Sequence, residues 1–319
     1  MEKRVLGKTG IEVTPVGFGV LTVGNSQLNL PIEEGAAILR YALEQGINFL
    51  DTAQYYKTYP YIRKALKGLS FDPVIVSKSL DLSYKGMEHA IEEARSEMNR
   101  DVIDIFLLHE VRNDPDWKYR IGAWECLQEA KAKGIVKAIG LSTHHVDVAE
   151  QAAVIPEVDV LFPLINFRSL GIRKGTGTGT KEEMAAAIKK SANAGQGVFA
   201  MKVLGGGVLT GNYQEAIRYV MSLDGISSLM VGFGNTNEVD RMIEMVEGTL
   251  NPDYVPDLSK KRIFIDQGDC EGCGACERRC PNKAIYMNDR GLANIHYDIC
   301  MTCGYCAPVC PVRAIIMIG

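Results

Sequence analysis

The chain has 319 residues, a formal net charge of -4 at pH 7, 46% hydrophobic residues and 23% charged ones. That length accommodates one large domain plus a small appendage, and the composition excludes intrinsic disorder and a collagen-like class. The mildly negative charge gives no reason to expect nucleic acid or an anionic membrane as partner, and the longest apolar runs, such as Val74–Val76 and Ile105–Leu108, are far too short to span a bilayer. The opening MEKRVLGKTG has no apolar stretch of signal-peptide length, so a cytoplasmic protein is expected.

In chain order, KRVLGKTGIEV reads first as a small hairpin. Strand and helix signals then alternate. Buried, β-rich runs occur at VGFGVLTV, INFLDTA, PVIVSKS, IDIFLLHE, VKAIGLS, DVLFPLINF, GVFAMKVL and SSLMVGF. Between them lie helix-period stretches such as EEGAAILRYALEQG, GMEHAIEEARSEMNR, AWECLQEAKAKG, EEMAAAIKKSANAG and NEVDRMIEMVEG, several ending on the glycine that helices favour just past their last turn. Eight such repeats over residues 1–248 predict an α/β fold, a (β/α)8 TIM-type barrel with its site at the carboxyl ends of the strands. A doubly wound sheet is the alternative, but no G-x-G-x-x-G follows the first strand. The tract RKGTGTGTKEE at 173–183 reads as a mobile loop, and Cys126 as a buried helix residue.

At the ends of strands two, three and four stand polar residues that a packed barrel does not need: Asp51 and Tyr56, Lys78, and His109. A phenol is a poor acid at neutral pH, with an ordinary pKa of about 10. An adjacent ammonium stabilises the phenolate, and a carboxylate holds that ammonium in place. A histidine beside the phenol can hold a carbonyl oxygen or relay a proton. Together the four make an acid able to protonate a carbonyl oxygen as hydride reaches its carbon.

In order and strand context, these residues resemble the catalytic tetrad of the aldo-keto reductases; the resemblance runs over roughly residues 3–250 and includes GFGVLTVG, DIFLLH, KAIGLS and VLGGGVLTGNY. It implies that Tyr56 is the acid/base, Lys78 lowers its pKa, Asp51 orients Lys78, and His109 positions the carbonyl. It further implies NADP(H) or NAD(H), with Leu204, Gly205, Gly206, Gly207 and Gly211 after strand seven over the pyrophosphate and Ser142 at the nicotinamide carboxamide. Backbone N–H groups of a glycine-rich loop suit a phosphate on geometric grounds. The chain departs from the family in two places. Phe162 stands where a glutamine usually holds the carboxamide, with Asn166 as a substitute. Gly234 stands near the usual position of the arginine that clamps the 2′-phosphate, and losing a bidentate Arg removes the strongest phosphate contact.

Residues 249–261, with two prolines and no helical period, form an ordered or semi-rigid linker. At about 3.3 Å per residue it is long enough to return around the barrel. Beyond it the cysteines crowd: of nine in the chain, only Cys126 precedes Cys270. Two runs, CEGCGACERRCP from 270 and CMTCGYCAPVCP from 300, each read C-x2-C-x2-C-x3-C-P. In a reducing compartment such clustering means metal ligation. This spacing wraps three thiolates around one cuboidal cluster and sends the fourth to the other cluster. Cys270, Cys273, Cys276 and Cys310 are therefore assigned to one [4Fe–4S] cluster, and Cys300, Cys303, Cys306 and Cys280 to a second. Two zinc sites are the alternative use of such thiolate pairs. With flanking runs RIFID, AIYMN, ANIHY and AIIMIG reading as short strands, residues 262–319 resemble a bacterial two-cluster ferredoxin, a small α+β domain.

Hydride moves two electrons at once, whereas a cluster passes them singly. A flavin normally bridges the two modes, and no flavin signature is legible. The leading expectation is NAD(P)H-linked reduction of a small aldehyde or ketone, or the reverse oxidation of an alcohol. One alternative is a reductase fed through the clusters by a redox-protein donor, or drained by an acceptor. Another is a non-enzymatic electron-transfer subunit.

Overall fold

The computed structural model describes residues 1–302 and 304–318. Eight parallel strands close into a barrel in chain order: Val16–Gly19, Phe49–Asp51, Val74–Ser79, Ile103–Leu108, Val136–Thr143, Val160–Pro163, Gly197–Ala200 and Ile226–Val231. Each overlaps one of the apolar runs above, and the circle closes where the last strand pairs with the first, Leu229 opposite Val16. These strands are buried on both faces, which is why they read as nearly continuous apolar runs.

Inward-facing Phe49, Val76, Ile105, Phe162, Phe199 and Met230 fill the barrel. Phe162 stacks on Phe199 with centroids 4.1 Å apart, and Phe49 meets Phe199 edge-on at 4.9 Å. The opening hairpin pairs Arg4–Val5 with Glu12–Val13 and brings Leu6 and Val13 into this inner cluster. Helix starts follow local chemistry. Ser83 Oγ accepts from the Gly86 N–H, Asn235 Oδ1 from the Glu238 N–H, and Thr180 and Glu183 form a reciprocal capping box.

The glycine- and threonine-rich tract differs from its reading as a mobile loop. Arg173–Lys174 pairs antiparallel with Gly177–Thr178, the Gly175 N–H donates to Asp147, and Thr180 caps the helix Lys181–Asn193. Backbone partners, invisible in composition, order the segment. Cys126 is buried in the helix Ile121–Ala132.

The last barrel helix ends at Glu247 and the next strand begins at Arg262. The tract between them lies along the barrel: Gln214 Nε2 donates to the carbonyls of Asn251 and Pro252, at 3.0 and 2.9 Å, and Lys261 pairs with Glu238 at 2.8 Å. It delivers the C-terminal module to the rim where the barrel strands end. There Arg262–Ile265 pairs antiparallel with Ile315–Ile318, and Ile285–Met287 with Ala293–Ile295, over a small core of Ile263, Ile265, Ile285, Ile295 and Ile315. The Met317 N–H donates to the Gly206 carbonyl at 2.6 Å, and Lys202 meets Asp269 at 3.0 Å, so the module sits on the barrel mouth. Among the described residues, no helix is long and apolar enough to cross a membrane.

Candidate active site and cluster module

Four barrel elements converge at the mouth. Asp51 ends the second strand, Tyr56 lies on the short turn Gln54–Tyr56, Lys78 is on the third strand, and His109 directly follows the fourth. Lys78 Nζ donates to Asp51 Oδ1 at 2.5 Å and to the Thr52 carbonyl at 2.7 Å, with both charged side chains buried. Tyr56 Oη lies 3.3 Å from His109 Nε2, and Lys78 Nζ is 5.0 Å from the centre of the Tyr56 ring. Arg120 anchors the histidine's backbone, donating to the His109 carbonyl at 2.7 Å.

The electrostatics revise one expectation. Tyr56 and His109 are half-buried and line one cavity. Burial, then the Asp51 carboxylate, pushes the Tyr56 phenol well above 10. The expected depression by Lys78 does not prevail, because that ammonium is already matched by Asp51. Burial also raises Asp51 and lowers Lys78, and their mutual contact opposes both shifts. Burial, then Lys78, pushes His109 well below 6.5. At neutral pH the site therefore presents a protonated phenol beside a neutral imidazole.

His144 is likewise held well below 6.5, by burial and then Lys202. Below pH ~6.5 the unfolded chain binds protons at these two histidines that the folded chain refuses, so stability falls as pH drops from there. Denaturant midpoints at pH 7.5 and 5.5 should differ in that direction, and the difference should shrink in a His144→Gln variant.

The cavity over Tyr56, Lys78 and His109 measures about 140 Å³. Sequence reasoning missed its other walls: Glu110, Arg112, His144 and Lys202 from the barrel, and Asp269 and Ile316 from the module. Burial tends to raise Asp269, but Lys202 and His144 outweigh it and hold the carboxyl below its usual range. Glu110 and Lys202 both adopt left-handed backbone, φ 53° and 54°, a conformation uncommon for non-glycine residues. Glu110 adjoins His109 and Asp269 adjoins Cys270, and that adjacency was the sole available signal. Nothing local says that the module roofs the barrel.

A second cavity of about 240 Å³ runs from Asp51 and Tyr56 past Leu204 and Gly207 to Gly234, Glu238 and Tyr254. Of the residues assigned to a nucleotide, Leu204, Gly206 and Gly207 line it, while Ser142 lines the smaller cavity. Gly205, Gly211 and Asn166 line neither. The glycine loop does not present a free cradle of amides. The Gly205 N–H donates to Lys202, and those of Gly207 and Leu209 to Leu204. Its glycines instead admit the module: a Cβ at Gly206 would lie 2.6 Å from Ile316 Cγ2, and one at Gly207 2.3 Å from the Met317 oxygen. Asn166 is also committed, with Nδ2 donating to the Leu170 carbonyl and Oδ1 accepting from the Leu170 N–H. It therefore does not replace the missing glutamine. Ser142 Oγ accepts from the Glu110 N–H, which leaves its own proton to donate.

In the module, Cys270, Cys273, Cys276 and Cys310 surround one small cavity, and Cys280, Cys300 and Cys306 another. Cys303 lies outside the described residues. Cys310 stands with the first three cysteines of the other run, and Cys280 with Cys300 and Cys306, the kind of donor set that a thiolate-ligated cluster needs.

A parallel barrel with this rim, carrying a paired-cysteine module, defines a class of barrel oxidoreductase. The Aldo/keto reductase family model matches residues 15–217, and a 4Fe-4S dicluster domain matches 269–314. The first match takes in well over half of the chain, which belongs to the aldo/keto reductase family. Similar proteins include the L-galactose dehydrogenase of Arabidopsis thaliana, 28% identical over 46% of this chain and 50% of its own length. Another is the methylglyoxal reductase DkgA of Escherichia coli (strain K12), 28% identical over 59% of this chain and 67% of its own. The chain thus spans about half the length of the plant relative. Among solved structures, a Pseudomonas aeruginosa protein described as an aldo-keto reductase superposes with a TM-score of 0.66 at 25% identity, over 78% of this chain and 96% of that one. The Bacillus halodurans aldo-keto reductase AKR11C1, at 20% identity and TM-score 0.65, shares the fold over 79% of this chain and 92% of its own.

Proposed function

We propose that the barrel reduces a small aldehyde or ketone with NADH, Tyr56 donating the proton. The observation that carries this reading is the Tyr56 hydroxyl, 3.3 Å from His109 Nε2, on a cavity of about 140 Å³. His109 holds the carbonyl oxygen and Tyr56 delivers a proton to it, while Lys78, paired with Asp51, stands 5.0 Å from the centre of the Tyr56 ring. A phenol held well above its ordinary pKa favours reduction over alcohol oxidation, which would need a phenolate base. The larger cavity suits an extended dinucleotide, whose nicotinamide supplies hydride when bound. The cavity's size and the methylglyoxal and L-galactose in the relatives' names favour a small polar carbonyl substrate.

Nucleotide choice follows from Glu238. Its carboxylate accepts from the Gly234 N–H at 2.8 Å and pairs with Lys261, at the end of the cavity where a 2′-phosphate would need cations. Like charges repel there, whereas a ribose hydroxyl is compatible with a carboxylate. NADH should bind at least about tenfold more tightly than NADPH, ~1.4 kcal/mol, and Glu238→Gln should narrow the gap. Equal affinities in calorimetric titration would remove Glu238 from this role.

A second reading has electrons entering the barrel through the clusters. It is favoured by Asp269, next to the ligand candidate Cys270, lining the cavity that holds Tyr56. The deciding test adds NADH, then NADPH, to anaerobic protein with loaded clusters, while cluster absorbance and EPR are followed. Tight binding without bleaching, with NADH oxidation on adding small aldehydes, supports the first reading. Failure to bind either nucleotide, together with turnover from a reduced redox protein, supports the second.

A further inference from the structure

Among the described residues, Arg313 is the largest side chain that is fully buried, and no carboxylate pairs with it. Nη1 donates to the carbonyls of Ala307 and Ile315, at 3.0 and 3.2 Å. Nε and Nη2 are buried and have no hydrogen-bond partner among the described residues. A guanidinium keeps its charge under nearly all conditions, and a buried charge requires a counter-charge. Arg313 lies three residues after Cys310, and its Nη1 reaches the carbonyl of Ala307, beside Cys306; as thiolates, those two cysteines are the negative charges that favour the Arg313 cation. The cysteine assignment places one of these in each cluster. Burial lowers the Arg313 pKa to about 10, and those two thiols oppose the shift.

The internal repeat supplies a comparison. Each run continues C-P-x-x-A-I, and the second x is Lys283 in the first copy and Arg313 in the second. Both hold left-handed backbone, φ 51° and 62°. Lys283 is exposed, whereas Arg313 is sealed by the barrel. A Cβ on Gly171 would lie 2.7 Å from Arg313 Cβ, and one on Gly205 3.2 Å from Nη2. The same glycine loop is thus part of the lid over this cation.

We propose that Arg313 is the buried counter-ion shared by the two iron–sulfur centres and that it raises their reduction potentials. A thiolate-ligated cluster is negatively charged and gains one further negative charge on reduction. A fixed cation close to both centres therefore stabilises the reduced form of each, and net charge and solvent exposure are established determinants of cluster potential. Docking on the barrel is what makes the cation effective, because water would otherwise screen it. The proposal rests on the cysteine assignment to clusters and is independent of which reading of the barrel's electron source holds.

The test is an EPR-monitored potentiometric titration of the full chain with loaded clusters, for the wild type, Arg313→Lys, Arg313→Gln and Lys283→Gln. With wild-type iron and sulfide content, Arg313→Gln should titrate at a more negative potential. The reduced-to-oxidised ratio at fixed potential should fall at least about tenfold, about 59 mV for a one-electron couple. Arg313→Lys and Lys283→Gln should stay within about threefold of the wild type, about 28 mV on the same scale. Unchanged potentials in Arg313→Gln, or an equal shift in Lys283→Gln or Arg313→Lys, overturn the proposal. If Arg313→Gln loses its clusters, Arg313→Lys decides. Retained clusters at the wild-type potential support a role for the charge, and their loss shows that the guanidinium acts by shape alone. A wild-type chain without a [4Fe–4S] signal would instead remove the cluster assignment itself.

Discussion

Tyr56→Phe is expected to lower the rate of carbonyl reduction by about 10²–10⁴, the usual contribution of a positioned general acid, and to leave nucleotide binding and the cluster EPR signal unchanged. The substitution removes one oxygen from a ring that otherwise keeps its edge contact with His109, at 5.4 Å between centroids, so packing at the site persists. The loss should fall on kcat rather than KM, because the proton moves only in the transition state. The wild-type rate of reduction should also show no decline with pH up to about 10, since burial and Asp51 hold the phenol above that value. Full activity in Tyr56→Phe would place the proton donor elsewhere, with His109 the next group within reach.

Lys78→Met has the larger effect on the fold. Lys78 is 1% exposed and Asp51 6%, and removing the ammonium leaves a buried carboxylate without its counter-charge. Breaking such a pair costs about 3–5 kcal/mol. The Thr52 carbonyl also loses its donor at 2.7 Å. Burial alone then acts on Asp51 and raises it further, so the folded state of the variant binds a proton that the unfolded chain releases above pH ~4. The penalty should therefore be greatest at neutral pH and shrink toward pH 5, a trend readable from urea midpoints at the two pH values. The double variant Asp51→Leu/Lys78→Met should recover most of the stability and none of the activity. If Lys78→Met alone were as stable as the wild type at pH 7, the pair would be less buried than the structure describes.

The barrel and its candidate active-site residues were legible along the chain because the signals are local. A strand buried on both faces has to be apolar, so eight such runs could be counted. Asp51, Lys78 and His109 stand at strand ends, where a packed barrel has no use for them, and Tyr56 follows on the next short turn. The cysteine spacing was more specific still, because a cluster dictates how closely its thiolates must follow one another. What the chain order conceals is everything that depends on where the module lands. Gly205–Gly207 looked like a phosphate cradle because glycine permits close backbone approach, but the group that approaches is the strand Ile315–Ile318. Asn166 looked available for an amide ligand until its loop took both ends of the side chain. Asp269 and Ile316 became walls of the Tyr56 cavity, and Arg313 a sealed cation, only through docking across more than a hundred residues of sequence separation. Local spacing determines which residues can ligate or cap. Burial, which decides their pKa values and partners, depends on the whole fold and is settled only by tertiary packing.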